Sequence, residues 1–391
     1  MPPILLTPGP TAVPTPVLEA MAEPIIHHRT AAFREVIAAL SGQLRQVFGT
    51  SGAVLSMAGS GTTAFESAQL SLATPGSTVI AVAGGKFGER WQDIYDAYAA
   101  FLNLRVVKID HAWGEPAPVD RIEAALQEHG ESVSAVAVVH SETSTATASD
   151  VQAIAALTRA HPSALLLVDG ITSVGAFPCP MDDWGIDCLV TGSQKAMMLP
   201  PGLGYLALGP RALDRLQAID APPPCYAMDL RKWVKSAAKD DSPFTPPVSL
   251  LRAQRVACEL MLGEGLGAVH QRTARLQAGA IAAFQAMGLK LVSTAPSPSV
   301  TGAYYPDGVT DDLRKAVRDQ HDVHLAGGQD GRGAKWKGKI FRVSHMGHVD
   351  ETMTRTGLEA IATCMANAGY HQADPAAALG AFDAAVSATA G

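Results

Sequence analysis

The feature that most limits the fold of this sequence is a series of short, uniformly apolar runs that alternate with helical patterns. Residues 165–169 and 188–192 form two such runs. They lack the polar alternation of a half-exposed strand, so they predict strands buried on both faces of a parallel sheet. The first run ends in Asp169, and Lys195 follows shortly after the second. Because open α/β sheets bind ligands at the carboxyl ends of their strands, we expect Asp169 and Lys195 to share one crevice.

The same alternation continues over most of the chain and sets the predicted domain organisation. Further strands are predicted at 78–83, 104–109 and 133–139, and helices at 62–73, 87–100, 119–129 and 149–161. This pattern indicates an α/β fold with a mostly parallel central sheet. We predict a proline-rich N-terminal arm (1–15), a large domain (16–265) and a small C-terminal α+β domain (266–391). A single long helix at 249–287 leads into the small domain, whose strands are predicted at 290–293, 300–305 and 339–344.

Composition excludes several classes of function. The formal net charge of −7 gives no general attraction to nucleic acid or to an anionic membrane surface. No apolar run approaches the roughly 20 residues of a membrane-spanning helix. The 5 cysteines are scattered and form no CxxC pair, which argues against a disulfide framework or a zinc site and favours a reducing, cytoplasmic location.

Lys195 is the strongest candidate for a chemically active side chain. It lies between a strand end and the apolar stretch 196–199, where desolvation would lower its pKa. A neutral amine can form a Schiff base with a carbonyl group, and a carboxylate such as Asp169 can keep a pyridine nitrogen protonated. This pairing is the one that pyridoxal 5′-phosphate (PLP) requires. The alternatives are a lysine that extends to the surface and an aspartate that caps a helix.

Two glycine-containing turns could contact a phosphate. Residues 59–63 open a helical pattern and offer N–H groups and hydroxyls, although a plain helix cap has the same pattern. Residues 84–88 resemble a dinucleotide-binding turn with Asp110 about 20 residues further on, but Ala83 occupies the position of the first glycine. In the second turn, Phe87 could instead stack on a planar ring or belong to the core.

Two more segments provide candidate polar contacts. Hydroxyl side chains at 141 and 143–145 follow a predicted strand and could reach the phenolic oxygen of PLP, or cap the next helix. Arg342 lies inside an apolar strand pattern, where a guanidinium needs an anionic partner. That partner is either a substrate carboxylate or a structural acidic side chain.

Taken together, these stretches resemble the class V PLP-dependent aminotransferases, and most closely their alanine–glyoxylate / serine–pyruvate branch. The matching stretches are Thr-Pro-Gly-Pro-Thr (7–11), Gly-Ser-Gly-Thr (59–62), Phe-Gly-Glu-Arg (87–90), His-Ser-Glu-Thr-Ser-Thr (140–145), Leu-Val-Asp-Gly (167–170), Gly-Ser-Gln-Lys (192–195), Pro-Pro-Gly-Leu-Gly (200–204), Thr-Pro-Pro-Val (245–248) and Phe-Arg-Val-Ser-His-Met-Gly (341–347). The resemblance implies the aspartate aminotransferase-like fold, known as fold type I, and a homodimer with active sites at the interface.

The resemblance also implies a role for each matching site residue. Lys195 would carry PLP, Asp169 would pair with the pyridinium nitrogen, and Thr143 would approach the phenolic oxygen. Phe87 would stack on the ring. The remaining roles are phosphate binding by Gly61, Thr62 and Gln194, with Thr245 from the neighbouring subunit, and substrate binding by Arg342 (to the α-carboxylate) and Gly9.

The predicted activity is ping-pong transamination between a small amino acid, such as alanine or serine, and a 2-oxo acid, such as glyoxylate or pyruvate. Another PLP reaction on the same fold, such as that of a lyase or a desulfurase, is the nearest alternative. Desulfurase relatives place histidine directly before the lysine, whereas Gln194 stands there in this chain. A dinucleotide-dependent oxidoreductase and a PLP-binding protein without turnover are further alternatives.

Overall fold

The computed structural model describes residues 2–389, and its centre is a seven-stranded sheet. The strands in chain order are β1 (Ile4–Leu5), β2 (Val54–Gly59), β3 (Thr78–Ala83), β4 (Arg105–Asp110), β5 (Val133–Val139), β6 (Ser141–Glu142), β7 (Thr147–Ala148), β8 (Leu165–Asp169), β9 (Cys188–Gly192), β10 (Gly202–Leu208), β11 (Val300–Tyr304), β12 (Val323–His324), β13 (Ala326–Gly327) and β14 (Ile340–Ser344). The helices are α1 (Thr15–Ala22), α2 (Ala31–Phe48), α3 (Gly61–Leu72), α4 (Lys86–Leu102), α5 (Val119–His129), α6 (Val151–Arg159), α7 (Met181–Trp184), α8 (Pro210–Ala218), α9 (Leu230–Ala237), α10 (Val248–Glu264), α11 (Leu266–Ala286), α12 (Asp312–His321), α13 (Glu351–Asn367) and α14 (Pro375–Ala388).

The large sheet is mostly parallel, as the sequence predicts. Its strand order is β2-β10-β9-β8-β5-β3-β4. The pairs β8–β9, β5–β8, β3–β5 and β3–β4 are parallel, whereas β10 runs antiparallel to both β2 and β9. The strands β2, β3, β5, β8 and β9 therefore point their carboxyl ends to the same edge of the sheet.

The uniformly apolar strands are explained by helices on both faces of this sheet. Along β8, Leu166 and Val168 pack into a core with α2, α5, α6 and α10. Leu165 and Leu167, which alternate with them, pack on the opposite face with α3, α4, α8 and α9. Because successive side chains of a strand point to opposite faces, both sets must be apolar.

A second core lies in the C-terminal part of the chain. It joins the small sheet β11-β14-β13 to α11, α13 and α14, and it includes Leu6 of the N-terminal arm. The arm strand β1 pairs with β12. Along α11, Val269 belongs to the first core and Leu276 to the second. The boundaries 1–15, 16–265 and 266–391 stay predictions, and Met1, Ala390 and Gly391 within them lie outside the described residues.

Two local expectations were wrong. The predicted helix at 249–287 is two helices, α10 and α11, because Gly265 has a φ of 89° between them. Residues 290–293 form no strand and contribute only an isolated bridge from Leu291 to Ala303. The alanine-rich segment near the C-terminus forms the helix α14; alanine has the highest helix propensity, and the Asp374 side chain caps the first turn. None of the helices within residues 2–389 is both long and apolar enough to span a bilayer.

Candidate active site

A cleft at the carboxyl-end edge of the large sheet contains most of the predicted site residues. The space between its walls, including open solvent, is about 460 Å³. Seven of the predicted residues contribute to its walls: Gly61, Thr62, Phe87, Thr143, Asp169, Gln194 and Lys195. Five other residues complete the lining: Ser60, Arg90, Ser141, Ile171 and Thr172. Strand direction thus brings together segments that are far apart in sequence.

Lys195 lies in the turn after β9, beneath the N-terminal arm. Its Nζ donates a hydrogen bond to the Pro8 carbonyl oxygen at 2.6 Å. Burial first, and then the positive charges of Arg342 and Arg90, lower the pKa of Lys195 to about 8, whereas the negative charge of Asp169 opposes this shift. A substantial fraction of this amine is therefore neutral near physiological pH, as a nucleophilic lysine requires.

The arm is tied to the lysine segment by two further hydrogen bonds. The Thr11 N–H donates to the Gln194 carbonyl at 3.1 Å, and Thr11 Oγ1 donates to the Lys195 carbonyl at 2.8 Å. Gly9 has a φ of 131°, and a Cβ atom there would overlap the Lys195 side chain. The arm can pass over the lysine because residue 9 is glycine. The contact of Gly9 with substrate stays a prediction.

Asp169 lies at the end of β8, and both of its oxygens accept hydrogen bonds. Oδ1 accepts from the Ile171 N–H and Oδ2 from Trp91 Nε1, each at 2.9 Å. Burial raises the pKa of Asp169 to about 6, although these two hydrogen bonds favour the charged form. A cation placed beside this carboxylate would offset the cost of its burial. The sequence did not reveal Trp91 as its partner.

Glu142 is a second residue that sequence reasoning missed. It is buried, and its carboxylate accepts hydrogen bonds from the N–H groups of Phe87 at 3.0 Å and Gly88 at 2.9 Å. These groups belong to the first turn of α4, where a negative charge is favoured. Burial raises the pKa of Glu142, whereas the hydrogen bonds lower it. Glu142 therefore fixes the start of α4 and, with it, the position of Phe87.

The same hydrogen bonds close the turn that resembles a dinucleotide-binding loop. The N–H groups of Phe87 and Gly88 bind Glu142, and the Lys86 N–H donates to Ser144 Oγ at 2.9 Å. The imidazole of His111 fills the space next to Gly84. Three donors of this turn are thus already bonded within the chain, so the arrangement does not favour a bound pyrophosphate.

Arg342 lies on β14 and is joined to the cleft wall through Thr143. Its Nη1 donates to the Thr143 carbonyl, and its Nη2 donates to the Gly327 carbonyl at 2.6 Å. It is buried, and none of the described residues provides a carboxylate paired with it. Burial lowers the pKa of Arg342 to about 10. The structural ion pair considered for Arg342 is therefore not found within residues 2–389.

Thr245 is not part of this cleft. It is exposed and lies in the loop before α10. Its predicted role belongs to the neighbouring subunit and stays a prediction.

The residues of the cleft fit PLP. Ser60, Gly61 and Thr62 form the start of α3, whose first N–H groups favour an anion such as phosphate. Gln194 Oε1 is buried without a hydrogen-bond partner, as expected for an amide that faces a polar ligand. Asp169 matches a pyridinium nitrogen, and Lys195 matches the aldehyde. The fold and this set of side chains define a PLP-dependent enzyme.

Comparison with known proteins identifies the family. The sequence profile described as Aminotransferase class-V matches residues 4–346. The chain is 34% identical to L-aspartate–glyoxylate aminotransferase of Paracoccus denitrificans, over 93% of this chain and 91% of that protein. It is 38% identical, over 97% of each chain, to a Synechococcus protein named soluble hydrogenase, small subunit. Pyridoxamine-pyruvate aminotransferase from Mesorhizobium loti has a TM-score of 0.90 at 27% identity, covering 99% of this chain and 98% of that chain.

The chain therefore belongs to the class V aminotransferases. It is a PLP-dependent aminotransferase with the predicted fold.

The lowered pKa of Lys195 can be measured in the cofactor-free protein. Labelling with a limiting amount of acetic anhydride at different pH values, followed by peptide mapping, should give half-maximal reaction of Lys195 near pH 8, because only the neutral amine reacts. Arg342→Gln should raise this midpoint, since it removes a like charge. A midpoint close to about 10.4, the ordinary value for lysine, would contradict the burial described above.

Proposed function

We propose that Lys195 and Asp169 catalyse transamination between a small amino acid and a 2-oxo acid. The observation that carries the proposal is the convergence, at the ends of the adjacent strands β8 and β9, of a lysine with a lowered pKa and a buried aspartate. Bound PLP supplies an electron sink for the substrate's α-carbon. Asp169 would hold a proton on the pyridine nitrogen, and Lys195 Nζ would move the proton from the substrate's α-carbon to the C4′ carbon of the cofactor, and in the reverse direction in the second half-reaction.

The cleft residues divide the remaining tasks. Gly61, Thr62 and Gln194, which line the cleft, would hold the phosphate at the start of α3, and Phe87 would stack on the ring. Thr143 is placed to approach the phenolic oxygen. The Pro8 carbonyl provides a position for the free Lys195 amine, because it accepts a hydrogen bond from Nζ. The arm thus keeps the Lys195 amine near the cleft between the two half-reactions.

Arg342 is the proposed site for the α-carboxylate of the substrate. Its guanidinium is buried and is bonded to carbonyl oxygens rather than to a carboxylate. A buried guanidinium bonded only to neutral oxygens gains from an added anion. Both the amino acid and the 2-oxo acid carry the same carboxylate, so one residue can serve both half-reactions.

Small substrates are proposed from the relatives. Their names specify glyoxylate or pyruvate as one substrate. We propose alanine or serine as amino donor and glyoxylate or pyruvate as acceptor. The name of the Synechococcus relative suggests a hydrogenase role, but nothing specific favours it: within residues 2–389 no group of three or more His, Cys, Asp and Glu side chains could hold a metal ion.

A half-reaction screen tests this function. The PLP-loaded protein is mixed with single amino acids in the absence of an oxo acid, and we expect the visible absorbance of bound PLP to fall with alanine or serine. Glyoxylate or pyruvate should then restore it. Release of sulfide from cysteine, or a lyase product without amino transfer, would contradict the proposal. So would unchanged absorbance with every amino acid, which favours a binding protein without turnover.

Asp169→Asn should retain PLP but slow transamination by several orders of magnitude, because an amide cannot hold the proton on the pyridine nitrogen. Asp187→Asn is the matched control, since Asp187 is also buried but lies outside the cleft and accepts from the Leu166 N–H. We expect that control to change stability without a comparable loss of turnover per folded molecule. Near-normal turnover of Asp169→Asn would remove Asp169 from the mechanism.

Arg342→Lys should weaken the binding of amino acids by about 1–3 kcal/mol. Lysine keeps the positive charge but lacks the planar guanidinium that forms two hydrogen bonds with a carboxylate. Steady-state kinetics should show this as a lower kcat/KM for alanine, with little change for ethylamine, which lacks the carboxylate. Arg318→Lys is the control, because Arg318 pairs with Asp319 at the surface. Equal losses for alanine and ethylamine would mean that Arg342 serves the fold.

We propose a homodimer in the cytoplasm. Leu18, Ile25 and Leu260 are exposed apolar side chains on or near α1 and α10, and their exposure supports a subunit interface. Thr245 would reach the phosphate of the neighbouring site from this interface. The free thiols of all 5 cysteines support a reducing compartment.

Sedimentation equilibrium should give twice the chain mass of 40.7 kDa, and a monomer would contradict this assembly. Cell fractionation tests the location.

A further inference from the structure

Arg90 contributes to the wall of the cleft but has no role in the proposed transamination. It lies on α4, one turn after Phe87, and its Nη1 donates a hydrogen bond to Thr62 Oγ1 at 3.1 Å. Its guanidinium carbon lies 5.0 Å from the centre of the Phe87 ring, within the range of a cation–π contact. Arg90 therefore contacts one residue assigned to the ring and one assigned to the phosphate.

No acidic side chain among the described residues pairs with Arg90. Arg332, which packs against the same helix, is instead paired with Asp93. The charge of Arg90 also reaches the cleft residues. It lowers the pKa of both Asp169 and Lys195, although burial and closer groups have larger effects. Arg90 is therefore a full positive charge inside the site, with a hydroxyl as its hydrogen-bond partner.

The phosphate end of the cleft needs such a charge. A phosphate monoester carries about −1.5 to −2 charges at neutral pH. The start of α3 contributes roughly +0.5 of an elementary charge. Lys195 must lose its charge to react, so it cannot supply the rest. Arg90 is then the remaining cation among the cleft residues of the described chain.

We propose that Arg90 is a cofactor-positioning residue: it joins the ring-stacking Phe87 to the phosphate-binding turn at Thr62 and supplies positive charge to the phosphate end of the cleft. This inference rests on the proposed function, since it assumes PLP in the orientation given above. It implies that Arg90 contributes much more to the binding of PLP than to the binding of pyridoxal, which has the same ring and aldehyde but no phosphate.

The test compares the affinities of the cofactor-free protein for PLP and for pyridoxal, each followed by visible absorbance. Arg90→Gln should weaken PLP binding by about tenfold or more, the scale of one charge-assisted hydrogen bond, and pyridoxal binding by less than about threefold. Arg90→Lys keeps the charge but not the planar guanidinium, so it should weaken PLP binding clearly less than Arg90→Gln does. Arg105→Gln, at an exposed position of β4, is the matched control and should change neither affinity.

Two outcomes would overturn the inference. Equal losses for PLP and pyridoxal would mean that Arg90 acts only by packing on Phe87. Unchanged PLP affinity in Arg90→Gln would mean that its charge does not reach the phosphate.

Inorganic phosphate provides a second measurement if Arg90→Gln folds poorly. In the wild type, phosphate should compete with PLP but not with pyridoxal, and Arg90→Lys should retain that competition. Competition that is absent, or equal for both compounds, would also contradict the inference.

The two proposals fail in different ways. If the wild type transaminates but Arg90→Gln loses PLP and pyridoxal equally, only the role of Arg90 is wrong. If the wild type converts no amino acid while Arg90 still distinguishes PLP from pyridoxal, only the proposed reaction is wrong.

Discussion

The proposed chemistry of this protein depends on the burial of one lysine at the carboxyl-end edge of the mostly parallel sheet. Lys195 follows the interior strand β9, and the N-terminal arm covers it through the Pro8 carbonyl and the two hydrogen bonds of Thr11. Burial lowers the pKa of Lys195 to about 8, which brings a neutral amine into the working range of pH. The arm also belongs to the small-domain core through Leu6, so the lysine is covered by a segment anchored in the second half of the chain.

The other charged groups near the cleft follow one electrostatic pattern. Burying a charge is expensive unless partners compensate it. Asp169 and Glu142 are buried acids that accept hydrogen bonds from N–H groups, and burial raises the pKa of each. Arg342 and Arg90 are cations bonded to neutral oxygens. In the proposed arrangement, this distribution is complementary to PLP with an amino acid: a cationic ring nitrogen would lie beside Asp169, the phosphate near Arg90 and the substrate carboxylate near Arg342.

The sequence was sufficient to predict five of the seven strands of the large sheet and the convergence of Lys195 with Asp169, because uniformly apolar strands specify burial on both faces and parallel strands bring their ends together. The strands β2 and β10 were not predicted, and neither was the antiparallel direction of β10, since an apolar run carries no information about direction. Trp91, Glu142 and Arg90 were missed for a related reason. Their roles depend on how α4 is rotated against the sheet, and hydrophobic periodicity does not show which polar side chains meet across two elements. The loop residue Thr245 stays a prediction, because its proposed contact lies in another subunit.

Borohydride reduction of the PLP-loaded protein, followed by digestion and mass spectrometry, tests the central claim most directly. The account predicts that the mass of the reduced cofactor is found on the peptide that contains Lys195, and that Lys195→Ala abolishes this modification. Lys86, the first residue of α4, is the informative internal comparison, because it is next to Phe87 but does not contribute to the cleft wall. Modification of Lys86 in the wild type, or a reduced adduct that persists in Lys195→Ala, would contradict the account.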